Sequence, residues 1–401
     1  MYKRILHTCL VGLISLIYSH SYADVHPLLK AAQDERNDLV AAELYWQYFS
    51  DAKSDSSFPD AAADFSRLLA RNNMLEDLVK LGDLLSELKP PPASPMNTIA
   101  WALAAADTAL EKAYNYTVAA IAAQKLAVIQ PPPEDRSEKA WKERNEYRLA
   151  YYLDTQGYTL LQMKEPKKAL DIFLQAKDLM IDPDYELFLH VAQAYWQLDK
   201  ADKTLDWVCK ARYYSGETDN EEINSLIEKA FLKSMGKNAD FDSYVDEKLQ
   251  ELKAEEYALY IQNILEYAAP AFKLKSLDGK MVSLNDFSGK IVLVDFWATW
   301  CGPCKRELPL LQAELDRWNE QGVIMLAIST DRDQEKVHPF IEENGYTFEV
   351  LFNDNTSRDY DVAGIPTLFI VDGAGTVRYK HVGYRPDIVD ILNLQIAELM
   401  K

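Results

Sequence analysis

Two cysteines separated by Gly302-Pro303 stand between an apolar run and a helical pattern. The run is Val292-Leu293-Val294-Asp295-Phe296-Trp297-Ala298, and the helical pattern extends from Lys305 to Trp318. A strand that delivers a Cys-X-X-Cys pair to the start of a helix has a chemical use. The first sulfur meets unpaired backbone N–H groups and the positive end of the helix dipole, both of which favour a thiolate. The second sulfur sits about one turn further along, close enough to close a small disulfide ring with the first. Zinc sites use the same spacing, but zinc needs four ligands, and no second cysteine pair or nearby histidine cluster completes a set. The pattern predicts a redox dithiol and no metal.

The surrounding residues predict the scaffold that holds the dithiol. Phe272, Leu274 and Leu277, a turn at Asp278-Gly279, then Met281, Val282 and Leu284 read as a β-hairpin. Ser288-Gly289-Lys290 turns into a central strand over 291–296. After the dithiol helix come a strand at 323–329, a helix at 334–343 and a short strand at 347–352. Gly364-Ile365-Pro366-Thr367 opens another strand, Gly373-Ala374-Gly375 turns into 376–379, and a last helix covers 386–400. Strands alternating with helices and ending in a hairpin predict a mixed α/β sheet. Ala268-Ala269-Pro270 reads as the end of everything helical before it.

The chain has 401 residues, too many for one ordinary core. Its net charge of −20 excludes nucleic acid and anionic membrane surfaces as partners. Most of that acidity lies before Tyr267, where it serves solubility or steers a basic partner. Lys3 and Arg4 precede an apolar run, Leu10 to Tyr18, and Ser21-Tyr22-Ala23 resembles a cleavage site. This predicts a secretory signal cut after Ala23, with Cys9 removed alongside it and no membrane span left in the mature chain; retention as an anchor is the alternative. Cys209 then has no partner, because Cys301 and Cys304 pair with each other, and it reads as a small buried residue on a helix.

From Asp24 onward the apolar residues recur at three- and four-residue steps. Lys89-Pro90-Pro91-Pro92-Ala93-Ser94-Pro95 reads as a stiff connector and Gln130-Pro131-Pro132-Pro133 as a second break, with one long helix or a helical pair over 97–129 between them. Between about Arg148 and Ser215 the chain repeats itself. Gly157, Leu160, Ala169, Leu170, Phe173 and Ala176 are matched 35 residues later by Ala192, Tyr195, Thr204, Leu205, Val208 and Ala211. Small and large residues at these offsets resemble the tetratricopeptide helix-turn-helix repeat, with neighbouring helices at 97–129 and 219–268 packing as degenerate units. Such arrays bind a peptide or protein partner, or serve as spacers.

Trp300-Cys301-Gly302-Pro303-Cys304-Lys305 together with Gly364-Ile365-Pro366-Thr367 resembles the thioredoxin superfamily. Within it, the closer resemblance is to the exported TlpA/ResA-type thiol-disulfide oxidoreductases. The leading hairpin, Glu307-Leu308-Pro309, and the extra helix and strand between the dithiol and Pro366 carry that likeness. It covers about Pro270 to Lys401. Peroxiredoxins share the architecture, but their cysteine follows a Pro-X-X-X-Thr-X-X pattern; Trp297 and Cys301 hold those places before Cys304, and Ala298 holds the threonine place before Cys301.

The resemblance implies roles. Cys301 is the exposed nucleophile and Cys304 the more buried resolving cysteine. Gly302 and Pro303 tune the poise toward reduction. Pro366 is cis, presenting the backbone of Ile365 to an extended substrate. Asp295 accepts a proton as Cys304 attacks, its pKa raised by burial. Glu307 either modulates the sulfurs or is a solvated helix glutamate, and Trp300 and Trp297 either shape the surface around the dithiol or pack beneath it.

The expected layout is multi-domain. A signal peptide (1–23) precedes an all-α region (24–134), a tetratricopeptide-like region (135–268) and a thioredoxin-like α/β domain (269–401). The expected function is disulfide exchange on partner proteins, most simply their reduction. No flavin or nicotinamide fingerprint is present, so the Cys301–Cys304 disulfide serves as the redox group and electrons come from an external donor protein. A disulfide oxidase or isomerase with the same site, and a helical-repeat adaptor whose dithiol only senses redox state, remain the alternatives.

Overall fold

The computed structural model describes residues 26–52, 55–180, 184–216, 220–237 and 239–401. The predicted signal segment and Cys9 lie outside them. Among the described residues no helix is long and apolar enough to cross a membrane.

The chain divides into two compact units at Ala123/Gln124. The sequence suggests internal boundaries at 134/135 and 268/269; here the repeat region and the sheet domain share the second unit. The first unit holds α1 (Pro27–Asp34), α2 (Asp38–Asp51), α3 (Phe58–Arg71), α4 (Leu75–Ser86), α5 (Ala93–Ala105) and most of α6 (Leu110–Val128). Segment 97–129 is thus a helical pair, broken where Asp107 and Ala109 adopt positive φ. Pro95 is not part of the connector but lies in the first turn of α5, where its missing N–H costs nothing. Aromatic rings fill this core, with Tyr45 stacked on Phe65 at 4.9 Å. Gly82 is required there because a Cβ would sit 2.5 Å from the Tyr116 ring.

The second unit begins with two helical hairpins, α7 (Glu138–Gln162) with α8 (Pro166–Leu179) and α9 (Tyr185–Gln197) with α10 (Ala201–Ser215). The 35-residue repeat is visible in the backbone: Lys164 and Asp199, one in each turn, both adopt left-handed φ near 60°. Gly157 is small because the Phe173 ring would lie 2.5 Å from its Cβ. Helix α11 (Glu221–Met235) packs on α10 through Ile223, Ile227 and Phe231 around Cys209, which is fully buried. Burial pushes the Cys209 thiol up to about 12, so it is chemically quiet. Helix α12 (Phe241–Gln262) follows. Of the segment 97–129, α5 and most of α6 belong to the first unit.

The helical region ends at Gln262, not at Ala268. Tyr267–Ala268 forms a short strand, β1, antiparallel to β8 (Thr376–Val382). Its neighbours extend the pairing, since Leu265 N donates to Arg378 O at 2.7 Å and Ala269 N to Gly375 O at 2.8 Å. Two residues are too few to show a period of two, and the pairing partner is more than a hundred residues away.

A hairpin of β2 (Lys273–Lys275) and β3 (Met281–Ser283) comes next, then β4 (Val292–Trp297) and α13 (Gly302–Glu320). They are followed by β5 (Ile324–Ser329), α14 (Val337–Asn344), β6 (Glu349–Phe352), α15 (Thr356–Asp359), β7 (Thr367–Val371), β8 and α16 (Ile388–Leu399). The main sheet has the order β1-β8-β7-β4-β5-β6. Strand β4 is central, parallel to β5 and antiparallel to β7. Alternation along it decides what lies on each side. Val292, Val294 and Phe296 face one core with Phe369 and Tyr360, whereas Leu293 and Trp297 face the other with Leu308, Leu311 and Trp318 of α13. Asp295, between Leu293 and Trp297 in that alternation, shares the face of the dithiol helix.

The helices of the second unit are tied to its sheet domain by two seams. Near the dithiol, Arg358 donates to Glu134 O at 2.7 Å, Arg136 to Val362 O at 3.4 Å, and Lys380 pairs with Glu143 at 3.3 Å. At the other seam Arg385, 4% exposed, pairs with Asp387 at 3.0 Å and Glu256 at 3.8 Å. Its guanidinium also donates to Tyr260 Oη at 2.8 Å and lies over the Tyr214 and Tyr260 rings.

Candidate active site

The site starts from the carboxyl end of β4. The backbone leaves the sheet at Trp297, and residues 298–301 form a loop that carries the chain into α13. Thr299 anchors that loop, because its N–H and hydroxyl donate to the Asp331 carboxylate at 2.9 and 2.6 Å. Asp331 is itself held by the Ser329 hydroxyl at 2.9 Å. From the other side, the Thr330 N–H donates to Trp297 O at 2.8 Å. Sequence reasoning singles out neither Asp331 nor Thr299. An aspartate two residues past the end of β5, the strand parallel to β4, is the available signal.

Cys301 is the N-cap of α13 and is disulfide-bonded to Cys304. The Cys304 N–H donates to Cys301 Sγ at 3.1 Å, so the first sulfur occupies the place where a capping oxygen would sit. That same N–H and the helix dipole would stabilise negative charge on Cys301 once the disulfide opens. Gly302 and Pro303 form the first turn and are exposed; proline fits there without losing a hydrogen bond.

One expectation is corrected here. Cys301 is not openly exposed: 4% of it reaches solvent, against 1% for Cys304. The segment before β7 covers it, with Ile365 O 3.7 Å from Cys301 Sγ. The Ile365–Pro366 peptide is cis. Ile365 is half-buried at the rim while Pro366 is buried.

Beneath the dithiol lie two carboxyl groups. Asp295 is 1% exposed, and among the described residues neither of its oxygens has a hydrogen-bond partner. Burial pushes its pKa up to about 7. Glu307 is 2% exposed, which removes the solvated-glutamate reading. It lies on the α13 stripe of Leu311 and Leu315, and burial followed by the Asp295 charge drives its pKa well up. Asp295 can therefore take up or release a proton near neutral pH, with a second buried carboxyl group beside it in Glu307.

The tryptophans divide between the two readings. Trp297 is fully buried below the dithiol, and Trp300 is 68% exposed beside it. Trp300 and Ile365 line a cleft of about 820 Å³. Its far wall comes from the helical region, through Asp135, Arg136 and Arg144. The structure thus gathers Cys301, Cys304, Trp300, Gly302, Pro303, Ile365 and Pro366 around the disulfide, with Trp300, Gly302 and Pro303 exposed, and buries Asp295 and Glu307 in the core. His381 is buried and bonded to Gln395 at 2.8 Å. Among the described residues no group of three or more His, Cys, Asp or Glu side chains could hold a metal ion.

Residues 265–380 match the AhpC/TSA family model. The chain is 37% identical over 111 residues to the thiol-disulfide oxidoreductase ResA of Bacillus subtilis, a match covering 27% of this chain and 62% of that protein, less than two thirds of its length. It is 36% identical over 119 residues to the thioredoxin-like protein YneN of the same organism, covering 29% of this chain and 69% of YneN. It is 34% identical over 117 residues to a ResA of Bacillus cereus, covering 29% and 68%. Among solved structures, the thioredoxin domain of a thiol-disulfide oxidoreductase from Bacteroides vulgatus is 32% identical, with a TM-score of 0.31 over 33% of this chain and 96% of that one. Through its C-terminal sheet domain, this chain belongs to the ResA-type thiol-disulfide oxidoreductase family.

Proposed function

We propose that the protein is an exported thiol-disulfide oxidoreductase that reduces disulfides on partner proteins, with the helical region helping to select them. The observation that carries this reading is the Cys301–Cys304 disulfide at a helix N-terminus, backed by two buried carboxyl groups whose pKa values burial raises. Export rests on the first 23 residues of the sequence alone.

In the proposed cycle the reduced Cys301 thiolate attacks one sulfur of a substrate disulfide. A mixed disulfide forms, and the other substrate sulfur leaves as a thiolate that takes up a proton. Cys304 then loses its proton to the ionised form of Asp295, which burial has made a better base, and attacks Cys301 Sγ. The second substrate thiol is released, and the Cys301–Cys304 disulfide re-forms. Two electrons have passed to the substrate, so an external donor protein must return two before the next turn. An extended substrate lies along the backbone of Ile365 and Pro366, and the exposed Trp300 packs beside it.

The test is a trap. Cys304→Ser in the full chain removes the resolving sulfur, so incubation with substrate proteins should leave a covalent Cys301 adduct on non-reducing gels that dithiothreitol releases. Free protein alone, with Cys301 still alkylatable, would overturn the assignment of the two cysteines.

A further inference from the structure

Resting on the function proposed above, we infer that the helical region completes the substrate site: Arg136 and Arg144 receive an acidic side chain of the polypeptide segment that carries the substrate's disulfide. The cleft that opens beside Trp300 and Ile365 has one wall from the sheet domain and one from the stretch entering α7. That stretch is fixed in place. Arg358 holds Glu134 O, Arg136 holds Val362 O, and Lys139 pairs with Asp361 at 3.6 Å. The helical wall is therefore a built part of the site.

Four carboxylates and four cationic side chains line the cleft, and they differ in how they are engaged. Asp331 is engaged by Thr299 and Ser329, Asp333 by Lys336 at 3.3 Å, and Asp354 by the N–H and hydroxyl of Thr356. Asp135, which is exposed, is then the one carboxylate among the described lining residues with neither a hydrogen bond nor an ion pair. Against it stand the guanidinium groups of Arg136, Arg144 and Arg332. Arg144 is half-buried, and no carboxylate among the described residues lies within ion-pair distance of it. Burial, then Arg148 and Arg136, push its pKa down to about 10, against a weaker opposing pull from Asp135.

A half-buried guanidinium with cationic neighbours and no carboxylate in reach is costly to keep. A carboxylate arriving with the substrate would take its fork of N–H donors bidentately. An acidic residue near the substrate cysteine can pair with Arg144, and a neutral or basic one cannot.

The experiment uses reduced full-length protein and two synthetic cystine peptides that differ only in Glu or Gln two residues from the cysteine. Exchange is followed by stopped-flow tryptophan fluorescence. Wild type should react about tenfold faster with the Glu peptide at low salt, an advantage that shrinks as salt rises. Arg144→Gln and Arg136→Gln should each bring the ratio close to one, and Arg144→Lys should keep part of it. Equal wild-type rates at low salt would overturn the inference, as would a preference that survives in Arg144→Gln. The wild-type salt series decides the matter even if a variant folds poorly. If wild type exchanges with neither peptide nor with neutral hydroxyethyl disulfide, the oxidoreductase reading itself fails and this inference falls with it.

Discussion

Two regions of the second unit treat buried charge in opposite ways. At the Arg385 seam every ionic group is answered: the guanidinium has Asp387, Glu256 and the Tyr260 hydroxyl, and Tyr213 donates to Asp387 at 2.7 Å. Around the dithiol the charges are left open. Asp295 has two oxygens without partners among the described residues, and Arg144 has no described carboxylate within reach. A satisfied buried network fixes geometry, while an unsatisfied buried charge is destabilising unless a substrate or a proton answers it. The contrast separates the part of the molecule that holds it together from the part that does chemistry.

The largest effect should come from breaking the satisfied side. Arg385→Ala strands Asp387 and Glu256 and should cost about 3–5 kcal/mol in urea unfolding. A loss below about 1 kcal/mol would mean that the seam is not structural and that the contrast fails. On the open side the sign reverses. Asp295 has a folded pKa raised to about 7, so the native state holds its proton more tightly than the unfolded chain does. Its favourable contribution is present below the unfolded pKa, near 4, and is lost as pH rises through 7. Asp295→Asn should therefore stabilise the protein at pH 8 by on the order of 2–4 kcal/mol, with a smaller gain at pH 5, while slowing resolution of the mixed disulfide. A gain independent of pH, or a loss, would place the proton elsewhere. The smallest effect belongs to Arg144→Gln, which removes a half-buried unpaired charge and should leave the unfolding free energy unchanged or raise it by up to about 1 kcal/mol. A loss above about 1.5 kcal/mol would make Arg144 part of the scaffold.

Much of the dithiol side is legible in the sequence because its signals are local. The apolar run of β4, the Cys-Gly-Pro-Cys turn and the Ile-Pro-Thr segment each lie within a few residues. The placement of Asp295 follows from alternation with Leu293 and Trp297. Glu307 is equally readable, because it stands four and eight residues before Leu311 and Leu315, but a charged residue on an apolar stripe argues both ways until its burial is seen. What stays hidden is long-range. Thr299 meets Asp331 across 32 residues, Arg385 meets Tyr260 across 125, and Arg136 meets Val362 across 226. Strand β1 reads as a helix end because its reason for being a strand is β8. The covered Cys301 belongs to the same class, since the lid over it is Ile365.

The 35-residue repeat sits between these cases. Its two hairpins are readable from spacing, and the left-handed turns at Lys164 and Asp199 repeat that spacing in the backbone. Their use is not readable. Part of the groove beside α8, α9 and α10 is closed by α12 and β8, leaving a cavity of about 570 Å³, and the wall nearest the dithiol comes from the stretch that leads into α7.

The most direct test of the reducing role is the reduction potential of the Cys301–Cys304 pair in the full chain, equilibrated against defined thiol buffers. The Gly-Pro spacer and the buried carboxyl pair predict a value near or below about −270 mV, in the range of a reductase fed from outside. A value near about −120 mV would make the protein a disulfide donor and contradict the direction of transfer proposed here.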